Sequence, residues 1–149
     1  MSKLVPPHGG KGLVIRLLEG AAKEAELKKA AGLKKVQITA QEKGDLIMIG
    51  IGGFSPLDGF MTKADWKSSV EKMTLADGTF WPVPVVLAVT KEEAAGIKEG
   101  EEITLERNGE IYATMKVTEK YELTEADKKW ESELVYKGAG DDSQGDFLG

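Results

Sequence analysis

The 149-residue chain carries 20 basic and 25 acidic residues, a net charge of -5 and no cysteine. Absence of cysteine excludes disulfides, thiol catalysis and thiolate metal sites, and a reducing cytoplasm fits it. Arginine occurs only at 16 and 107, and an acidic, arginine-poor surface argues against nucleic acid as a partner.

A chain of this length reads as one domain, able to bury roughly 68–70% of its unfolded surface. No segment approaches the roughly 20 continuous apolar residues that span a bilayer. The N-terminus has no long apolar run and does not read as a signal peptide.

Residues 1–12 form an extended arm punctuated by Pro6, Pro7, Gly9, Gly10 and Gly12. His8, the single histidine, has no acidic neighbour in sequence and reads as a packing or hydrogen-bonding residue. Leu13, Val14, Leu17 and Leu18 then lead into an Ala/Glu/Lys run that predicts a helix over 19–30, stopped at Gly32. Val36 and Ile38 alternate with polar neighbours and predict a short strand over 35–38.

Thr39 and Glu42 have capping-box spacing, which starts a helix running to Ile51. Its apolar residues from Leu46 to Ile51 are nearly continuous, implying burial on several sides. A buried strand over 45–51 is the alternative, since so short a run has no decisive period. After the loop 52–61, Thr62 opens a helix to about Met73, with Asp65 in its first turn and Trp66 and Val70 on its apolar side.

Asp77-Gly78 is a turn signal. The strand predicted over 79–89 contains Pro82 and Pro84, which leave one edge without two donors. It lies at a sheet edge or is interrupted. Thr90 and Glu93 form another capping box, opening a helix to about Ala95. A strand over 103–107 meets Asn108-Gly109, a strong type I′ hairpin signal, and returns over 110–121 with Ile111, Ala113, Met115 and Val117 on one face. Thr124 caps a last helix to about Tyr136, with Trp130 and Leu134 on its buried side. The β segments with tight turns fit a small, partly open barrel.

The stretch Gly52-Gly53-Phe54-Ser55-Pro56-Leu57-Asp58-Gly59-Phe60-Met61 combines backbone breakers with large apolar side chains. A solvated linker would be polar, so this reads as a shaped, buried turn between two helices. The alternative is a loop shaped to sit against a ligand or a partner domain. Ser55 before Pro56 is a turn residue, and Asp58 fits a cap or a loop hydrogen bond better than catalysis. The acidic pairs 92–93, 101–102 and 141–142 are adjacent rather than convergent and read as solvated surface.

That stretch resembles the signature of the N-terminal, PUA-like domain of ATP sulfurylase (sulfate adenylyltransferase). Trp81-Pro82-Val83-Pro84 resembles the same domain's Trp-Pro-x-Pro strand. Val117 through Tyr121 to Glu131 resembles the end of its barrel and the following helix, and Leu4 to Gly10 resembles the start of bacterial members. The resemblance runs from about Leu4 to Lys137.

It implies an α+β, PUA-like, partly open β-barrel with flanking helices over residues 1–137, and a flexible tail or linker stump over 138–149. It implies a cytoplasmic, non-catalytic domain supporting an adenylyl-transfer enzyme. The partner would be the catalytic domain, in cis or as a separate chain, with homo-oligomerisation possible; nucleic acid and membrane are not implied. Gly53, Phe54, Ser55, Pro56, Leu57, Gly59, Phe60, Trp81, Pro82 and Pro84 are the expected interdomain or structural residues.

The family's catalytic motifs, Gln-x-Arg-Asn and His-x-Gly-His, are absent, and one histidine makes the second impossible. Gly9-Gly10-Lys11-Gly12 lacks Walker-loop spacing. No catalytic residue, cofactor or metal is therefore expected in this chain, which looks like a truncation, a fragment or a split gene product. A freestanding PUA-like binding module is the alternative reading. RNA binding, known for the PUA fold, is disfavoured by the charge.

Overall fold

The computed structural model describes residues 4–136 and, for Asp146–Leu148, the backbone. The remaining residues of the sequence-predicted tail lie outside this description. In chain order the elements are α1 (Gly20–Ala31), β1 (Lys34–Gln37), α2 (Ala40–Gly50), α3 (Lys63–Lys72), β2 (Leu87–Val89) and α4 (Lys91–Gly96). Then come β3 (Glu102–Arg107), β4 (Glu110–Lys116), β5 (Lys120–Tyr121), α5 (Glu125–Leu134) and β6 (Asp146–Leu148).

Local chemistry explains most helix starts. Thr39, Thr90 and Thr124 each cap a helix through a reciprocal box with Glu42, Glu93 and Asp127. Such a cap is worth about 1 kcal/mol. The box at Thr39 favours helix over strand for residues 45–51, because it satisfies two backbone donors only if the chain turns there. Glu42 does more than cap. Its Oε2 accepts from Thr39 N at 2.7 Å and its Oε1 from Ala88 N at 2.8 Å, so one buried carboxylate ties α2 to β2. Its charge, after burial itself, helps push the Asp45 carboxyl above the usual range.

The strands form two three-stranded sheets. In the first, β1 runs parallel to β3, and β3 is antiparallel to β4. The β3–β4 turn has Asn108 at φ 52° and Gly109 at φ 80°, the pair of positive angles that a type I′ turn requires. In the second, β6 lies between β2 and β5, antiparallel to both.

Val36, Ile103 and Leu105 from the first sheet share a core with Leu87 and Val89 from the second. The fold is α+β, with the two sheets wrapped as a partly open barrel. Trp66 and Val70 of α3, with Tyr121 and Leu123, form a smaller core. Trp130 of α5 meets Trp66 edge-on at 5.9 Å.

Four expectations are corrected. The strand predicted over 79–89 reduces to Leu87–Val89 and a lone bridge from Thr74 to Phe80, because Pro82 and Pro84 cannot donate to a ladder. The strand predicted over 110–121 breaks after Lys116. There Val117 N donates to Glu101 O and its carbonyl accepts from Gly100 N, and the chain crosses to the second sheet as β5. Within β4, Tyr112 is an extra residue between the Leu105–Ala113 and Glu106–Ile111 pairs, a bulge that interrupts the expected single face.

The fourth correction concerns burial. Ile47 and Ile51 of the α2 region are 49% and 52% exposed, and Leu134 is 50% exposed, where all were expected inside. Only one side of α2 meets the sheets.

Candidate functional site

Two sequence-predicted segments meet in the structure. The loop 52–61 and the Trp81–Pro84 edge lie against each other, with Phe54 edge-on to Trp81 at 5.6 Å and 87°. Met61 N donates to Val85 O at 2.8 Å, closing the loop onto the edge's far end. Ser69 Oγ of α3 donates to Trp81 O at 2.8 Å and fixes the edge from below.

The predicted residues divide by burial. Ser55, Leu57, Phe60 and Pro84 are buried. Phe54, Pro56, Gly59 and Trp81 are half-buried, and Gly53 and Pro82 are exposed. Phe54 is therefore a ring on the core's margin rather than inside it. Gly52, at φ 78°, needs glycine for a second reason: a Cβ there would meet Ile15 at 3.1 Å and the Val14 carbonyl at 3.3 Å.

The residues missed by sequence reasoning belong to an N-terminal arm that in the structure extends over residues 4–18 and clamps both segments. His8 Nε2 lies 2.6 Å from Phe80 O, and its ring is 6.0 Å from Trp81. Lys11 pairs with Asp77 at 3.0 Å. Thr79 N–H, the Thr79 side chain and Lys11, in that order, hold Asp77 down to about 2. Val14 N donates to Ser55 Oγ at 2.8 Å, and Ser55 Oγ donates to Gly52 O at 2.7 Å. Arg16 pairs with Asp58 at 3.1 Å, which gives that carboxylate a partner in the arm instead of a cap role. Only His8 carried a signal in sequence, as a hydrogen-bonding residue of the arm.

Electrostatically the site is settled. Asp58 and Asp77 are paired, and among the described residues no three His, Cys, Asp or Glu side chains converge as a metal site. Ser55 has both hydrogen-bond roles occupied. What the arrangement offers is shape: a rigid apolar corner held by hydrogen bonds.

Beside this corner runs a groove of about 790 Å³ between α1, α2, β4 and residues 16–18 of the arm. Leu17, Leu18, Leu27, Ile47 and Ile51 are among its apolar lining residues. No helix among the described residues is long and apolar enough to cross a membrane.

The described residues thus form a partly open α+β barrel with a clamped apolar corner. The chain belongs to the PUA-like domain family, whose profile matches residues 5–143. It is 70% identical over 144 residues to the sulfate adenylyltransferase of Desulfovibrio desulfuricans, covering 97% of this chain and 34% of that relative. It is 63% identical to the sulfate adenylyltransferase of Desulfatibacillum aliphaticivorans, over 99% of this chain and 35% of the relative. To that of Entamoeba histolytica it is 43% identical, over 97% and 35%.

The chain thus spans about a third of the length of these relatives. The resemblance to the PUA-like domain of ATP sulfurylase holds along nearly its whole length. Among solved structures, the hexameric APS kinase from Thiobacillus denitrificans matches with a TM-score of 0.70 and 30% identity, covering 82% of this chain and 24% of that one.

Proposed function

We propose that this chain is the non-catalytic N-terminal domain of a sulfate adenylyltransferase, supporting a catalytic domain supplied in cis or as a separate chain. The observation that carries this reading is the 70% identity to a third of such an enzyme. The full reaction joins ATP and sulfate into adenosine 5′-phosphosulfate and pyrophosphate. Such a transfer needs cations and aimed donors around dense negative charge. The described residues gather no such group, and their only histidine is bonded to the Phe80 carbonyl. The contact with the catalytic domain includes the corner of Phe54, Trp81 and Pro82. The hexameric neighbour supports an oligomeric assembly of the whole enzyme.

The test is pyrophosphate-dependent ATP formation from adenosine 5′-phosphosulfate by the purified 149-residue chain. No turnover is expected from the chain alone. Turnover is expected once the chain replaces its matching segment in the Desulfovibrio desulfuricans relative. Turnover by the isolated chain, abolished by Phe54→Ala, would overturn the reading.

A further inference from the structure

The arm carries its aliphatic side chains on the wrong side for a core. Leu13, Ile15, Leu17 and Leu18 are 60%, 58%, 57% and 45% exposed. Their backbone is nonetheless fixed: Val14 N bonds Ser55 Oγ, and Arg16 N and Leu17 N both donate to Gly50 O at 2.9 Å. Leu27, Ile47 and Ile51, which line the groove with Leu17 and Leu18, are 39%, 49% and 52% exposed. Burying these side chains inside the domain would have stabilised it, so leaving them in water is a cost. Leu17, Leu18, Leu27, Ile47 and Ile51 line one groove, with Leu13 and Ile15 exposed on the same fixed segment; exposed apolar surface on a fixed frame marks an interaction site, and preorganisation lowers the cost of binding.

We infer that this strip-and-groove face, and not the Trp81 corner alone, is the main seat of the catalytic portion, an inference that rests on the sulfate adenylyltransferase reading. Two observations favour that occupant. First, Arg16, Glu26, Asp58, Tyr112 and Thr114 of the groove's lining already have partners, which leaves few polar groups to hold a small polar molecule. Tyr112 Oη donates to Glu110, Thr114 Oγ1 to Glu26, and Arg16 pairs with Asp58. Second, the relatives extend about two thirds of their length beyond the matched segment, so most of their chain is available to cover it. Lys23 and Lys116 on the rim have no ion-pair partner among the described residues. The covering surface therefore presents aliphatic side chains flanked by carboxylates.

The chain has no cysteine, so single thiols report without background from it. Leu17→Cys, Ile51→Cys, Val83→Cys and, as a control, Glu92→Cys are labelled with a maleimide. Labelling is done in the 149-residue chain and in the chimera with the Desulfovibrio desulfuricans relative, with rates read peptide by peptide. Thiols at 17 and 51 are expected to label at least about ten-fold more slowly in the chimera, since labelling then requires the interface to open. The control is expected to be unchanged.

Unchanged rates at 17 and 51 in a catalytically active chimera would overturn this face as the seat while leaving the domain assignment intact. Protection at 83 alone would do the same and place the contact at the Trp81 corner. Protection at 17 and 51 in the isolated chain that grows with its concentration would give the face to a second copy, also against the inference. A folded chimera without sulfate adenylyltransferase activity would remove the functional reading itself, and this inference with it.

Discussion

The loop 52–61 and the strip 13–18 are both rich in large apolar residues, and they end in opposite environments. The loop turns Leu57, Phe60 and Met61 inward to 7%, 7% and 1% exposure, whereas the strip leaves Leu13, Ile15, Leu17 and Leu18 about half exposed or more. The two are joined: Ser55 Oγ of the loop accepts the strip's Val14 N. The difference lies in how each satisfies its backbone. The loop's donors turn back on the end of α2 and on the loop itself, with Gly53 N and Phe54 N both donating to Met48 O and Leu57 N to Phe54 O, so its side chains are free to point into the core. The strip spends its donors on Gly50 O and Ser55 Oγ, which places its backbone, rather than its side chains, against the domain. Apolar composition alone does not separate these outcomes; backbone accounting does.

Substitutions can break this contrast, beginning with the largest effect. Phe60→Ala empties a buried ring site and is expected to destabilise the domain by about 3–5 kcal/mol. The measurement is the chemical-denaturation midpoint at unchanged slope; a midpoint like the wild type's would mean the ring is not in the core.

Ser55→Ala is expected to cost about 1–3 kcal/mol, because it leaves Val14 N without its acceptor and removes the bond to Gly52 O. Hydrogen exchange at Val14 should quicken along with it. Exchange that stays slow while stability falls would show that the strip is held elsewhere.

Leu17→Ser and Ile51→Ser sharpen the comparison from the other side. Each is expected to stay within about 0.5 kcal/mol of the wild type in the isolated chain, as exposed positions do. A loss comparable to that of Phe60→Ala would show that these side chains already belong to the domain's own core.

Much of the fold was legible in the sequence because its signals are local. Thr39–Glu42, Thr90–Glu93 and Asn108-Gly109 fix helix starts and a hairpin within a few residues, and each forms where predicted. Trp66 and Val70, four apart on α3, mark a buried side that the structure keeps. Misreadings fall where a partner distant in sequence decides. Lys116 ends β4 because Val117 pairs with Glu101 and Gly100, and Ile47 stays out because nothing described covers that side of α2. Of the candidate site, the loop and the Trp81–Pro84 edge were visible as motifs. Their contact through Phe54 was not, and neither was the clamp by His8, Lys11 and Arg16.

By itself, then, the sequence determined the secondary-structure starts, the α+β character and the absence of the family's catalytic motifs from these residues. These follow from capping, turn chemistry and residue identity, which act over a handful of positions. Only the tertiary structure decided which apolar segments face the core and which face outward. That choice depends on long-range backbone bonds such as Val14 to Ser55 and Leu17 to Gly50, whose geometry no local pattern carries.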